Sequence, residues 1–527
     1  MGEYLNPSGE NFAMSLNSKI YVDKSGLIAH LNSLINTEQR FLCVSRPRRF
    51  GKTMAAKMMA AYYCHQLEAD SQFGDLEIAR DPSYATHKNK YDVIMLNMHN
   101  FLTPTETMAE MITLLQKEVI GELREQYPGL DVADDELAKA MGKAWRSSGR
   151  KFILIIDEWD CLIRMRQDNI AAQKEYLDFL RFWLKDRDYI ALAYMTGILP
   201  VKKYGLHSAL NMFVEYSMTD PGELAQYFGF TDAEVLGLCD KHGMPFEEVK
   251  AWYDGYHLHG PISDEAVSIY SPRSVVEALR RKKLFNYWNQ TETYEALKIY
   301  IDMDYDGLKE AVVTMLAGGS ITVNPFKFTN DMTTFDSRDD ILTLLVHLGY
   351  LNFDPAGNAV AIPNKEVRTE YVNSISSIGW NEVMKQINNA NRLLDSLWDM
   401  DAEAIARSMD EAHNEVSILQ YNDENALSYV INLAFFTARE YYTVIRELPS
   451  GKGFADICFV PRRKFADKAA VLIELKWDKS ARGALDQIKA REYAGALNDY
   501  KQNLLLVGIN YDRASKTHEC EIERYEH

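Results

Sequence analysis

The sequence of 527 residues is poor in several things at once. Its six cysteines, Cys43, Cys64, Cys161, Cys239, Cys458 and Cys520, contain no Cys-x-x-Cys pair, which argues against a zinc ribbon or a thioredoxin-like redox motif. Several sit in apolar runs, as in Phe41-Leu42-Cys43-Val44, and are expected to be small buried hydrophobes of a reducing compartment. With only 15 Pro and 28 Gly against 47% hydrophobic residues, the chain is neither collagen-like nor largely disordered. No apolar run approaches the roughly 18 residues of a membrane span. The first residues, MGEYLNPSGENFAMS, show no basic and apolar leader pattern, so a cytoplasmic protein without a membrane partner is expected. Positive charge is also short: 58 Lys and Arg face 76 Asp and Glu, a net charge of −18. Such a chain does not coat nucleic acid by overall basicity, although a local basic groove remains possible.

The length suits about three domains. In the first part, short apolar runs (Phe41–Ser45, Val93–Asn97, Phe152–Ile156, Ile190–Tyr194) alternate with helical stretches such as Met54–Leu67, Thr107–Glu125 and Lys174–Lys185. Apolar strands alternating with helices predict a parallel sheet covered on both faces. Residues 206–415 read as mostly helical, broken at Asp220-Pro221-Gly222 and His259-Gly260-Pro261. Near its end a helix at Asp339–Leu348 precedes a hairpin turning at Asp354–Asn358, an order shared by winged-helix modules and by other small helical domains. After residue 415 the pattern returns to α/β: a helix near Glu424–Glu440, strands at Tyr441–Glu447, Phe454–Val460 and Ala469–Leu475, another helix, and a strand at Asn503–Ile509.

Two motifs carry chemistry. The first is Phe41–Thr53, an apolar strand, a loop, then Gly51-Lys52-Thr53 opening a helix. Gly51 lets backbone N–H groups approach phosphate oxygens, Lys52 supplies a point charge, and the Thr53 hydroxyl suits Mg²⁺. Arg46 stands where the usual phosphate loop has its first glycine. Arg46, Arg48 and Arg49 flank the loop, to contact phosphate or to pack against acidic groups of the sheet. A second apolar strand ends in Asp157-Glu158, a pairing in which Asp157 holds Mg²⁺ through water and Glu158 polarises the attacking water. Thr196, at the end of the next strand, is a candidate γ-phosphate sensor or a simple strand-end cap. Residues about 10–205 resemble the AAA-ATPase-like family of bacterial and archaeal proteins. The resemblance rests on Tyr21-Val22-Asp23-Lys24, Ser45–Thr53, Ile156-Asp157-Glu158, Asp254-Gly255-Tyr256 and Ser271-Pro272 through Tyr287-Trp288. It implies a P-loop ATPase with an inserted strand carrying the catalytic glutamate, and it makes the arginine-rich loop the normal form.

The second motif is Asp456 with Glu474-Leu475-Lys476. Glu474 and Lys476 are two residues apart on one strand and so share a face. Carboxylates meeting an ammonium there suit Mg²⁺-assisted phosphodiester hydrolysis. The triplet Glu248-Val249-Lys250 has the same pattern but lies in a polar helical stretch, whereas Glu474 ends an apolar strand, where a charge pair needs a reason. Residues about 416–512 resemble the PD-(D/E)XK nuclease superfamily, through Gly453–Asp456, Glu474–Lys476 and Ala484–Ile488 with Tyr493. The resemblance implies a site of Asp456, Glu474, Lys476 and Gln487, joined by a helix glutamate, Glu424 or Glu440. Phe454-Ala455 stands where that family often carries an arginine.

His257 and His259 show no third ligand at a useful spacing and are expected to be structural. Arg280–Lys283 and Arg462-Arg463-Lys464 are basic clusters that could track a phosphate backbone or be solvated surface. The expectation is therefore an α/β protein in three segments: an ATPase at 1–205, a helical connector at 206–415 and a nuclease-like domain at 416–527. It would use ATP and Mg²⁺, act on DNA in preference to RNA through a local basic groove, and be open to oligomerisation. The competing expectation is a signalling ATPase switch whose C-terminal fold recognises rather than cuts. Convergence of Asp456, Glu474 and Lys476 discriminates the two.

Overall fold

The computed structural model describes residues 1–67, 70–201, 210–260, 266–288, 294–303, 305, 307–329, 332, 335–415, 427, 431, 433–450, 453–462 and 465–525. The chain forms two compact units, Met1–Thr293 with Thr322–Val367, and Tyr294–Ile321 with Arg368–His527.

The first unit is built on five parallel strands: β1 (Phe41–Ser45), β2 (Asp92–Asn97), β3 (Phe152–Asp157), β4 (Ile190–Gly197) and β5 (Val214–Tyr216). Their order is β2-β3-β4-β1-β5. β4 thus lies between the loop-bearing β1 and the acidic β3, so the strand inserted next to β1 carries Thr196, while the expected catalytic glutamate, Glu158, follows β3. β1, β3 and β4 are buried along their whole length, as expected of apolar runs sheltered on both faces. The helix Lys52–Tyr63 follows β1 and packs Ala56, Met59 and Tyr63 into one core with Leu42, Val44, Ile153 and Tyr194. Helix Met108–Gln126 starts on a capping box of Thr107 and Glu110, which satisfies two N-terminal donors and fixes its start. The sheet runs on past residue 205 to Tyr216.

The region after it is helical, as read, but also holds β6 (Phe230–Thr231), β7 (Tyr256–His259) and β8 (Ala266–Tyr270), paired in the order β6-β8-β7. These short strands were not apparent in the sequence because two to five residues give little period-two signal. The helix–hairpin–helix order is present: helix Arg338–Leu348, an antiparallel β9 (Asn352–Asp354) and β10 (Ala359–Ala361), then helix Lys365–Ile378.

The second unit contains a mixed sheet of β11 (Tyr442–Ser450), β12 (Gly453–Pro461), β13 (Ala470–Trp477), β14 (Leu504–Asp512) and β15 (Thr517–Arg524), in that order. Only β13 and β14 run parallel, joined by the helix Ala481–Ala490 and the turn segment Tyr493–Asn503. Alternation along β13 sends Val471, Ile473 and Leu475 into a core with Leu397, Ile405 and Phe435, and Ala470 and Leu472 into another with Leu485 and Ile488. Of the expected helix near Glu424–Glu440, residues 424–426, 428–430 and 432 lie outside the described residues, and its end forms the short helix Ala438–Tyr441.

Candidate active sites

In the first unit, β1 ends at Ser45 and the loop turns into helix Lys52–Tyr63 through Gly51, whose φ of 91° is left-handed. No atom crowds a Cβ built there, so the glycine answers a backbone need rather than a lack of space. Lys52 is buried, and its Nζ donates to the carbonyls of Arg46 and Pro47, both at 2.9 Å. Burial lowers the Lys52 ammonium below its ordinary value, against the pull of Glu158 and Asp157. The Thr53 hydroxyl donates to Asp157 Oδ2 at 2.7 Å, so β1's loop and the end of β3 meet where a Mg²⁺ would sit. Asp157 is fully buried, and burial raises its carboxyl above the usual range. Thr196 lies in register with Asp157 on β4, and its buried hydroxyl has no hydrogen-bond partner among the described residues.

Glu158 adopts a left-handed φ of 54° and is ion-paired to Arg164. Arg164 also donates to Asp160 at 3.1 Å. Asp160 is fully buried and accepts the N–H groups of Ile198 and Leu199 at 3.0 and 2.8 Å. Burial alone would lower the Arg164 guanidinium, but Asp160 and Glu158 outweigh it and hold it above its ordinary value. Sequence reasoning missed Asp160 and Arg164. Their i,i+4 acid–base spacing just after Glu158 was the available signal.

A cavity of about 800 Å³ opens over the loop. Arg48, Arg49, Gly51, Lys52, Thr53 and Glu158 line its polar side, while Phe12, Tyr21, Val22, Tyr227 and Phe230 line an apolar side. The three loop arginines divide. Arg48 and Arg49 face the cavity, whereas Arg46 is not among the residues lining it. Arg46 is fully buried, donates to the carbonyls of Ser45 and Tyr216 at 2.9 and 2.8 Å, and stacks its guanidinium over Phe228. It ties β5 to β1 through carbonyls and an aromatic ring rather than through acidic groups. Arg273 and Arg280, from helix Pro272–Arg281, also reach the cavity. Arg280 and Arg281 are both held by the nearly buried Glu277, at 3.0 and 2.8 Å, so this basic cluster is partly neutralised.

In the second unit the register of β12 and β13 pairs Ile457 with Ile473, which sets Asp456 opposite Glu474 one step further along. Asp456 Oδ2 accepts the Leu475 N–H at 2.7 Å. Lys476 donates to Glu474 Oε1 at 2.8 Å and to the Leu475 carbonyl at 2.9 Å. Gln487, on helix Ala481–Ala490, donates to the same Glu474 oxygen. Glu474 and Lys476 are both buried. Asp456, Glu474, Lys476 and Gln487 therefore meet at one place. Glu424, Arg463 and Lys464 lie outside the described residues, as does the side chain of Glu440. Phe454 is 61% exposed and two residues from Asp456.

Among the described residues no three His, Cys, Asp or Glu side chains converge as a metal cluster. A Mg²⁺ ion tolerates this, since it keeps several waters and takes one or two carboxylates. The pairs Thr53 with Asp157 and Asp456 with Glu474 fit that demand. His257 contacts Ser268 and His259 contacts Asp354. Five cysteines are buried, Cys520 is half-buried, and none is bonded to another. No helix among the described residues is long and apolar enough to cross a membrane.

Comparison with known families matches residues 10–207 to the family described as "Predicted AAA-ATPase" and residues 423–521 to the PD-(D/E)XK nuclease superfamily. The chain joins an AAA-ATPase-like domain to a PD-(D/E)XK nuclease superfamily domain. A curated relative from Azotobacter chroococcum mcd 1, an uncharacterized protein in the vnfD 5′ region, is 23% identical over 286 residues. The match covers 52% of this chain and 51% of the relative, so the chain spans about half the length of the curated relative it matches. Among solved structures, Cdc6p from Pyrobaculum aerophilum aligns over 72% of this chain and 99% of its own, with 10% identity and a TM-score of 0.24. The Aeropyrum pernix ORC1 protein in complex with DNA covers 72% and 98%, with 12% identity and a TM-score of 0.25. The ORC2 protein of Aeropyrum pernix covers 68% and 97%, with 11% identity and a TM-score of 0.31. The sheet order and the two family matches, rather than these low-scoring alignments, carry the fold assignment of an ATPase and a nuclease-like domain.

Proposed function

We infer that the AAA-ATPase-like domain binds ATP with Mg²⁺ and hydrolyses it, and that the PD-(D/E)XK domain cleaves DNA with Mg²⁺. The observation that carries the reading is the meeting of Asp456, Glu474, Lys476 and Gln487 on adjacent elements of one sheet. It favours catalysis over a fold kept only for recognition, because a buried carboxylate–lysine pair is poor value for stability alone. Lys476 and Gln487 hold Glu474 in place. Asp456 is fixed by the Leu475 N–H, and Lys476 is the group placed to orient or activate a water. When bound, Mg²⁺ would be held by Asp456 and Glu474 and would withdraw charge from the phosphodiester. Phe454 offers an exposed ring where the family often carries an arginine, suited to stacking on a base. The superfamily resemblance points to DNA in preference to RNA.

In the ATPase domain, Lys52, Arg48 and Arg49 supply cationic charge to phosphates, and the loop N–H groups and the helix N-terminus add theirs. Thr53 and Asp157 would hold Mg²⁺, which neutralises charge on the β- and γ-phosphates when bound. Glu158 accepts the proton of the attacking water, Thr196 offers its hydroxyl to the γ-phosphate, and the apolar wall of Phe12, Tyr21 and Phe230 receives the base. We assign 1–205 to the ATPase segment, 206–415 to a connector that lends Arg273 and Arg280 to the cavity, and 416–527 to the nuclease-like segment. ATP state then regulates nuclease access.

The Arg164–Glu158 ion pair favours a second reading, a slowly turning ATP switch, since it competes with the water that Glu158 must polarise. Plasmid cleavage and ATP turnover, each with and without DNA, test both. Mg²⁺-dependent cleavage lost in Lys476→Ala, with ATP binding spared, is expected. Full cleavage by Lys476→Ala would refute the nuclease assignment and leave the switch.

A further inference from the structure

The loop that would grip phosphate is itself gripped, and by residues remote from it in sequence. Phe50, inside the loop, is fully buried, and its ring meets that of Tyr256 edge-on at 5.3 Å. The Phe50 carbonyl accepts the Gly229 N–H at 3.0 Å. Tyr256, also fully buried, donates its hydroxyl to the Gly349 carbonyl at 2.6 Å and stacks on Trp288. Trp288 in turn meets Tyr350 edge-on.

Gly349 ends helix Arg338–Leu348 in a left-handed conformation, with φ of 86°. A Cβ there would lie 2.8 Å from Pro47 and 3.0 Å from Trp288. Pro47 is the residue whose carbonyl accepts from Lys52. Tyr256 is held from its other side as well. A Cβ on the preceding Gly255, φ 145°, would lie 1.7 Å from the Pro363 carbonyl, and the His257 N–H donates to the Asn352 side chain at 2.9 Å. The segment Gly255–His257 is thereby wedged between the phosphate loop and the β9–β10 hairpin.

We propose that Tyr256 is a positioning residue of the phosphate loop, and that with Gly349 it makes the loop and the turn between helix Arg338–Leu348 and β9 move as one element. This rests on the ATP-binding reading above. Lys52 now sits on the carbonyls of Arg46 and Pro47, and a phosphate that draws it away changes what Pro47 does. Pro47 abuts Gly349, and Phe50 abuts Tyr256, whose hydroxyl holds the Gly349 carbonyl. Two separate contacts therefore carry the state of the loop to the same turn. Packed aromatic rings have few alternative arrangements, so a small shift at the loop is passed on rather than absorbed. None of Tyr256, Trp288 or Gly349 lines the 800 Å³ cavity, so an effect on nucleotide binding from any of them acts through the loop.

The test is amide hydrogen exchange of the full chain with Mg²⁺ and a non-hydrolysable ATP analogue, alongside fluorescence titration of a labelled nucleotide. Tyr256→Phe keeps the ring on Phe50 and removes only the hydroxyl. Gly349→Ala presses a methyl group toward Pro47. In the wild type, nucleotide should change exchange both at residues 46–53 and at residues 345–358. Tyr256→Phe should keep the first change and lose most of the second, and Gly349→Ala should weaken nucleotide binding by about tenfold. A merely structural tyrosine would lower the melting temperature and leave the nucleotide-dependent exchange pattern intact. A loop that responds while residues 345–358 do not, in the wild type, overturns the coupling and leaves the ATPase reading standing. Absence of nucleotide binding by the wild type overturns both.

Discussion

Lys476→Met probes the balance of charge in the nuclease-like site, and its cost can be worked from the structure. Glu474 and Lys476 have side chains 2% and 8% exposed, with Nζ 2.8 Å from Oε1. Removing the ammonium strands a buried carboxylate, and breaking such a pair typically costs about 3–5 kcal/mol. Gln487 still donates to the same oxygen and softens the loss. The loss also has a ceiling, because Glu474 can take a proton instead. At pH 7, protonating a carboxyl of ordinary value near 4.3 costs about 3.7 kcal/mol. At pH 5 the same step costs only about 1 kcal/mol. The variant should therefore be destabilised by about 3 kcal/mol at pH 7 and by about 1 kcal/mol at pH 5. The double variant Lys476→Met/Glu474→Gln should regain most of the difference at pH 7, since no charge is then stranded. Urea unfolding followed by Trp477 and Trp398 fluorescence at the two pH values measures this. Equal destabilisation at both, or a double variant no better than the single one, would refute the account of a buried carboxylate held by Lys476.

Three further outcomes are expected. Glu158→Gln should bind ATP with near-native affinity and lose at least about a hundredfold in turnover, the lower range for a missing general base; unchanged turnover by a phosphate-release assay would remove Glu158 from the mechanism. Arg48→Ala should weaken nucleotide binding, whereas Arg46→Met should leave affinity nearly intact and lower stability by about 1–3 kcal/mol through the carbonyl of Tyr216 that loses its donor; the reverse pattern in titration and unfolding experiments would return Arg46 to the phosphate site. Burial holds the His518 imidazole below its ordinary value, against the pull of Asp410 at 2.9 Å. A lowered folded value means that His518 contributes stability present above its unfolded value, about 6.5, and lost as pH falls through the folded one. The second unit should weaken between about pH 6.5 and the folded value, and His518→Gln should flatten that slope, which denaturant melts across the range will show.

Both motifs were legible because each couples a strand period to a charged end. An apolar run such as Phe152–Ile156 is too short for a buried helix of ordinary length and reads as a buried strand, so the carboxylates that close it need a reason. The same logic separated Glu474-Leu475-Lys476 from Glu248-Val249-Lys250, which lies in a helix with Lys250 paired to Asp232. Arg46 is the opposite case. Its spacing from Lys52 is that of a phosphate ligand, yet its side chain turns under the sheet, and only the position of Tyr216, far along the chain, decides that. Tyr256 and Arg280 stood out in the sequence only within a family resemblance and a basic cluster, and their places beside the loop, like that of Arg273, were hidden for the same reason. Their roles depend on which distant segment folds over the loop, and no local periodicity encodes a long-range approach. The short strands β6–β8 are likewise held by tertiary neighbours rather than by their own pattern.

The two sites solve one problem in the same way. Each keeps carboxylates inside a fold, and each recruits main-chain N–H groups to do so. Asp157 accepts from Glu158, Asp160 from Ile198 and Leu199, and Asp456 from Leu475. Side chains bearing protons occupy the remaining side: the Thr53 hydroxyl on Asp157, the Lys476 ammonium on Glu474, and Arg164 on Glu158. The main-chain bonds fix where Asp157, Asp160 and Asp456 sit, whereas Glu158 is held by Arg164 and Glu474 by Lys476 and Gln487. This also reinterprets the chain's charge of −18. Near the sites the acids are individually compensated, and Glu523 pairs with both Arg482 and Lys489 beside the nuclease-like sheet. Phosphate therefore cannot be drawn in by a broad positive field. On the proposed function it would be selected by a few placed groups, Lys52, Arg48 and Arg49 in one unit and Lys476 beside a bound metal in the other, so that affinity would depend on geometry more than on bulk charge.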